Sequence, residues 1–154
     1  MDSTGTSGVF ARDYAELDRA VQVGVAGGRV ISVSFPATVP DDATEDHELL
    51  DRIEAYLRGE PDAFDDVVVG LTVPTDRRGV LEPLRSVPYG EEVSVSRLTR
   101  LAGLDADDPK DLELVTAALN ENPVPLLLPD HRVRGGPYAT PSTVRDAFRR
   151  VEGP

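Results

Sequence analysis

The sequence predicts an α+β protein. A small N-terminal α/β unit of hairpin and helix precedes a C-terminal helical unit containing a helix-turn-helix. Three observations lead there. Residues 20–35, "AVQVGVAGGRVISVSF", are two β-rich runs split at Ala26-Gly27-Gly28, the pattern of a hairpin with a glycine turn. Residues 44–58, "TEDHELLDRIEAYLR", set Leu49, Leu50, Ile53, Tyr56 and Leu57 at helical spacing. After residue 73 the pattern changes to a series of short capped helices, so the units are read as 1–73 and 74–154.

The elements follow in order. Thr44 is the expected N-cap of the first helix, and Gly59 ends it. "FDDVVVGLTV" reads as a further short extended segment. "PTDRRGVLEPLRSVPYGEE" suggests a helix from Thr75 to Val87, closed by Pro88, with Pro83 expected to kink or shorten it. "VSVSRLTRLAG" reads as a short helix capped by Ser94 or Ser96 and stopped at Gly103. "DADDPKDLELVTAALNEN" reads as another. Asp107 or Asp108 caps it, Pro109 fits its first position, and Leu112, Val115 and Leu119 form its apolar stripe. Two short helices joined by a short turn make a helix-turn-helix. "PLLLP" reads as a strand leading to a glycine hairpin at Gly135-Gly136. The last helix, in "TPSTVRDAFRRVEG", has Thr140 or Ser142 as its cap.

Composition narrows the chemistry. The 154 residues are 40% hydrophobic, enough to fill a core. No apolar run approaches the ~20 residues of a membrane span. The N-terminal "MDSTGTSG" lacks the basic and apolar regions of a signal peptide. A soluble, cytoplasmic monomer without a membrane partner is the expectation. The chain has no cysteine, which removes disulfides, thiolate metal sites and cysteine nucleophiles together. The acidic clusters Asp41-Asp42, Asp65-Asp66 and Asp107-Asp108 show no acid-and-histidine ligand spacing, so neither a metal nor a cofactor is expected. Net charge is −12 and Lys110 is the only lysine. An acidic surface kept for solubility is one reading. Adaptation to a salt-rich cytoplasm is the other, and the poverty in lysine favours it. At multimolar salt the Debye length falls below about 3 Å, so an acidic protein need not be repelled by DNA.

The stretch "PVPLLLPDHRVRGG" places Asp130, His131 and Arg132 together after a greasy run. They read either as a catalytic constellation or as a hydrogen-bonded polar corner with Arg132 paired to a carboxylate. The wider order is Val87-Pro88-Tyr89-Gly90, Val93-Ser94, two helices, Ala118-Leu119, Asn122-Pro123, Pro125, Pro129 and His131-Arg132-Val133. Over roughly residues 74–150 this resembles the methylated-DNA–protein cysteine methyltransferases, the O6-alkylguanine-DNA alkyltransferases. The resemblance implies direct-reversal DNA repair. In that chemistry a cysteine takes the alkyl group from a guanine flipped out of the duplex, assisted by a histidine that a glutamate orients. An arginine of the recognition helix fills the vacated base position, and a tyrosine helps to rotate the nucleotide out.

At the decisive positions this chain differs. The resemblance sets Asp130 at the nucleophile, Glu113 at the inserted arginine, Val95 at the base-rotating tyrosine and Asp146 at the supporting glutamate. The core tryptophan position falls on Leu81. Asn122, Pro129, His131, Arg132 and Tyr138 remain. The cysteine-less pattern is similar to that of the alkyltransferase-like proteins, which bind alkylated guanine and recruit other repair factors. Three readings result. One is a binder of DNA or of lesions, its partners double-stranded DNA with alkylated guanine at high salt and other repair proteins. A second is a protein–protein scaffold without DNA binding, favoured by Asp111, Glu113 and Glu121 on the presumed recognition helix. The third is dealkylation through an Asp130 methyl ester that water then hydrolyses.

Overall fold

A meander of three antiparallel strands opens the fold: β1 (Gly8–Tyr14), β2 (Arg19–Ala26) and β3 (Arg29–Ser34), in the order β1-β2-β3. The coordinates are a computed structural model describing residues 7–153. Residues 1–6, on which most of the signal-peptide reading falls, and Pro154 lie outside the described residues. The β2–β3 hairpin turns at Gly27 and Gly28, both with positive φ, as expected. β1 was not anticipated. It carries Arg12 and Asp13, which obscure its alternation, yet Ala11 and Tyr14 point into the core.

The first helix, α1 (Glu48–Leu57), buries the five apolar residues its spacing predicts. Its N-cap is His47 rather than Thr44, and the His47 Nδ1 accepts from the Leu49 amide at 3.0 Å. Thr44 is unavailable because its backbone pairs with β1, through Ala11 N–H to Thr44 O and Thr44 N–H to Val9 O. His47 is itself packed rather than fully exposed. It is half-buried against Phe10, and burial lowers its pKa, which suits a neutral acceptor ring. "FDDVVVGLTV" contributes only a single parallel bridge, Val30 to Val69.

The expected 75–87 helix divides. α2 (Thr75–Leu81) is regular, and residues 82–86 tighten into a 3-10 turn with Pro83 near its start. Pro83 has no N–H to continue the α-helical ladder. A two-residue strand β4 (Val93–Ser94) leads into α3 (Val95–Leu101), capped by Ser94, whose hydroxyl accepts from the Arg97 amide. After Gly103, α4 (Pro109–Asn120) is capped by Asp108 and buries Val115, Ala118 and Leu119, with Leu112 half-buried.

The strand expected at "PLLLP" does not form. Pro123, Pro125 and Pro129 have no amide hydrogens for a ladder, and the chain turns instead, with Leu126 at φ 75° and a single Pro125–Leu128 bridge. Nor is there a glycine hairpin. β5 (Val133–Arg134) pairs in parallel with β4, and Gly135 and Gly136 start a loop. The last helix is α5 (Ser142–Glu152). Neither Thr140 nor Ser142 caps it; Pro141 holds the N-cap position without a side-chain bond.

One cluster of buried apolar side chains runs through the sheet, α1, the loops and α5, and so crosses residue 73. Tyr56 of α1 packs edge-on against Phe148 of α5 with ring centres 5.7 Å apart, and Phe35 meets the same ring at 6.1 Å. Leu81 is fully buried.

The two aspartates before α4 are separable by mutation. Asp108→Ala is expected to lower unfolding free energy by about 1 kcal/mol, and Asp107→Ala by less than about 0.5 kcal/mol. Urea denaturation of the two variants decides it, and equal losses would show that Asp108 is not the cap.

Candidate active site

Residues 130–132 form a single 3-10 turn between Pro129 and β5. All three side chains are buried. Asp130 has no exposed surface, and its two oxygens meet four donors. The Thr140 hydroxyl donates to Oδ1 at 2.6 Å. The amides of Ala139 and Thr140 and the Asn122 side chain donate to Oδ2 at 2.9, 3.3 and 3.4 Å. This explains the missing cap on α5, because the Thr140 hydroxyl is committed to Asp130. Burial pushes the Asp130 carboxyl up, while the Thr140 hydroxyl and the Ala139 amide pull the other way. The burial effect prevails and holds the carboxyl above its ordinary value; the two amides and the Asn122 side chain can only donate to it, whereas the Thr140 hydroxyl can donate or accept.

Asn122 is likewise buried and braces the same turn. Its Nδ2 donates to Leu128 O at 2.8 Å and its Oδ1 accepts from the Val124 amide. Pro129, also buried, gives the carbonyl that accepts from the Arg132 amide.

The carboxylate on His131 is Glu152, at the end of α5, with Nε2 and Oε2 2.7 Å apart. This corrects the assignment of Asp146, which is exposed and has no such contact. The helix explains the difference. Asp146 lies on the outward face of α5, whereas Glu152 sits six residues on, at the last position before the left-handed Gly153 cap. The "VEG" ending was the available signal: a lone acid in the last turn of a helix, beside a dipole end that does not favour it.

Glu152 gathers more than the histidine. Tyr56 donates its hydroxyl to Oε2 at 2.5 Å, Arg132 donates through Nε at 2.9 Å and a terminal nitrogen at 3.1 Å, and the Gly90 amide donates at 3.1 Å. Burial alone would raise the Glu152 carboxyl. The hydrogen bonds of His131, Arg132 and Tyr56, with the charge of His131, outweigh it and hold the group well below the usual carboxylate range. Because Glu152 only accepts, the His131 Nε2 carries a hydrogen. The buried Nδ1 has no partner among the described residues. Arg132 also donates to Val87 O at 2.8 Å, so the polar-corner reading of Asp130-His131-Arg132 describes the contacts.

Tyr138 lies on the loop that closes over Asp130. Its ring is stacked under Arg145, whose Cζ is 4.0 Å from the ring centre, and its hydroxyl accepts from Arg149 at 3.1 Å. Gly136 permits this, since a Cβ there would lie 2.7 Å from the Tyr138 ring. Val95 and Glu113 are elsewhere. Val95 opens α3 and is half-buried; Glu113 projects from α4 into solvent.

Comparison with known proteins gives this geometry its relatives. Residues 76–140 match the family model of the 6-O-methylguanine DNA methyltransferase DNA-binding domain. The chain is 36% identical over 87 residues to a methylated-DNA–protein-cysteine methyltransferase of Methanopyrus kandleri, covering 56% of this chain and 62% of that protein. It is 29% identical over 124 residues to the Methanosarcina acetivorans protein, covering 75% and 76%. The mouse protein is 33% identical over 135 residues, covering 71% and 60%.

These matches make the chain similar to the O6-alkylguanine-DNA alkyltransferases. It spans only about 60–76% of the length of these relatives. The fold agrees with that of the Mycobacterium tuberculosis O6-methylguanine methyltransferase at a TM-score of 0.72 and 20% identity, over 94% of this chain and 93% of that one. The same tuberculosis protein has been solved in complex with DNA. A Pyrococcus kodakaraensis O6-methylguanine-DNA methyltransferase superposes at 0.70 with 19% identity, over 96% and 100%. The chain contains no cysteine at any position. Among the described residues no helix is long and apolar enough to cross a membrane, and no group of three or more His, Asp or Glu side chains is placed to hold a metal.

The Glu152 cluster has a definite acid signature. Its folded pKa is depressed, so its stabilisation is complete above the unfolded value of about 4.3 and is lost as pH falls below it. Glu152→Gln leaves Arg132 buried without its counter-charge and is expected to cost about 3–5 kcal/mol at neutral pH. The gap to the wild-type protein should hold from pH 7 to 5 and narrow in more acid solution. A gap that widens on acidification, measured by denaturant titration, would refute the assignment.

Proposed function

We propose that this chain is a non-catalytic DNA binder of the alkyltransferase family, unable to take an alkyl group onto itself. One observation carries the reading: the Asp130 carboxylate is wholly buried, and both of its oxygens are already hydrogen-bonded. Displacement at a methyl carbon needs a lone pair aligned with that carbon at about 3–3.5 Å. Freeing an Asp130 oxygen would break charge-assisted bonds worth about 1.5–3 kcal/mol each. A carboxylate is moreover a hard, weakly polarisable nucleophile. These points weigh against the methyl-ester route.

Support for DNA binding comes from the family's DNA-binding domain match and from the pairing of α3 with α4, which we read as a helix-turn-helix. Arg97, Arg100 and Arg134 are exposed there and could meet phosphates. With Glu113 in place of the inserted arginine, contact with the phosphate backbone is favoured over base extrusion. The scaffold reading rests on a specific feature as well. The exposed charges of α4 and its cap are Lys110, Glu113 and Glu121, net negative where phosphates would lie.

Binding is to be measured with duplexes carrying O6-methylguanine or plain guanine, across potassium chloride from low to multimolar, with the lesion followed by mass spectrometry. The expected result is duplex binding with every methyl group retained, weakened by joint Arg97→Ser and Arg100→Ser substitution. Preference for the methylated duplex would extend the role to lesion sensing. Methyl loss with turnover, abolished in Asp130→Ala, would establish the ester route instead. Absence of binding at every salt concentration would leave the scaffold reading.

A further inference from the structure

A second concave surface lies along residues 69–72, where the chain runs beside β3 through the Val30–Val69 bridge. Two cavities of about 330 Å³ each meet there, sharing Val69, Leu71 and Glu82. Ile31, Val69, Leu71 and Leu128 supply apolar lining, and Arg29, Arg78 and Arg85 supply charge. Together the cavities reach the size range of small-ligand pockets.

The three arginines are unusual in their partners. Among the described residues none has a carboxylate within ion-pair distance, in a chain with 28 acidic and 16 basic residues. Glu82 lines both cavities yet pairs with none of them. Two of the arginines are held by main-chain carbonyls. Arg78 donates to Leu71 O at 2.7 Å, and Arg85 donates to Phe64 O and Val67 O at 2.8 Å each. Among the described residues the buried Arg85 Nε has no partner. A guanidinium carries five N–H donors in a planar fork, so carbonyl anchoring fixes Arg78 and Arg85 while leaving donors free. Burial lowers the Arg85 pKa, and the charges of Asp65 and Asp66, which lie beyond ion-pair distance, offset this only in part.

We propose that this cleft binds a small phosphorylated ligand of mononucleotide size. Its phosphate lies between Arg29 and Arg78, and its planar body rests on Ile31, Val69 and Leu71. Guanidinium forks match phosphate oxygens in pairs, and the apolar lining suits a flat ring system better than a hydrated ion. The bounded volume favours a compact ligand over an extended acidic segment. The site is separate from the α3–α4 surface and does not depend on duplex binding. Leu128, two residues before Asp130, contributes to the lining.

The test is an NMR titration of the ¹⁵N-labelled full chain with adenosine 5′-monophosphate, adenosine and inorganic phosphate. The monophosphate should give saturable shifts at the Gly70, Leu71 and Thr72 amides and at arginine Nε–H groups, with adenosine and phosphate each binding at least tenfold more weakly. Arg29→Ser with Arg78→Ser should lose at least tenfold in affinity while the remaining spectrum stays unchanged. Arg97→Ser with Arg100→Ser should bind the monophosphate normally, which separates this site from duplex contact. No saturable shift, equal affinity in the Arg29/Arg78 variant, or tighter binding of a hexaglutamate peptide than of the monophosphate would each overturn the proposal.

Discussion

The buried Glu152 carboxylate is the interaction on which the rest of this structure depends. It joins four places that are distant in sequence: Tyr56 on α1, Gly90 in the loop before β4, the His131-Arg132 turn, and its own helix α5. An isolated buried carboxylate would be strongly unfavourable. Five donor contacts with a guanidinium beside it reverse that balance, and every donor must be in register for the compensation to hold. The apolar contacts nearby have less geometric demand. Phe148 can meet Tyr56, Phe35 and His131 with some freedom of angle, but Glu152 allows one arrangement of its neighbours.

Asp130 is organised on the same principle at a second centre. Its carboxylate draws together Asn122, Ala139 and Thr140, and so fastens the loop after β5 onto the turn that carries the site. A thiol would make weak hydrogen bonds in that place. The aspartate thus does more than occupy the turn. It puts a strong acceptor against a set of donors and closes them on a residue of the chain itself. Tyr138, clamped between Arg145 and Arg149, holds the same loop from outside. The site is internally satisfied, and a base entering it would compete with these bonds.

The sequence made much of this legible, for reasons that differ by element. α1 and α4 were readable because their apolar residues follow a helical period, and Asp108-Pro109 is a strong local start signal. The β2–β3 turn was readable from two glycines. What failed depended on partners far along the chain. Thr44 was a sound local cap, but its backbone was claimed by β1, thirty-odd residues earlier. Thr140 was a sound cap for α5, but its hydroxyl went to Asp130. "PLLLP" had strand-like side chains and too few amide hydrogens. The supporting acid of His131 was misplaced by six residues, because linear matching near Asp146 could not show which face of α5 turns inward.

These contacts also separate the candidate site residues by how firmly each is built into the fold. His131, Arg132 and Asn122 are buried and each bonds to a group that would otherwise be left unsatisfied. Loss of any one would strand a buried charge or carbonyl, at a cost of about 1–5 kcal/mol depending on the partner. Glu113 is exposed and Val95 half-buried, so exchange there disturbs no comparable network. The histidine therefore does not require a surviving reaction to explain its presence. With Nε2 on Glu152 and its ring 5.2 Å from Phe148, it is held by the fold, and these contacts alone account for its burial and orientation.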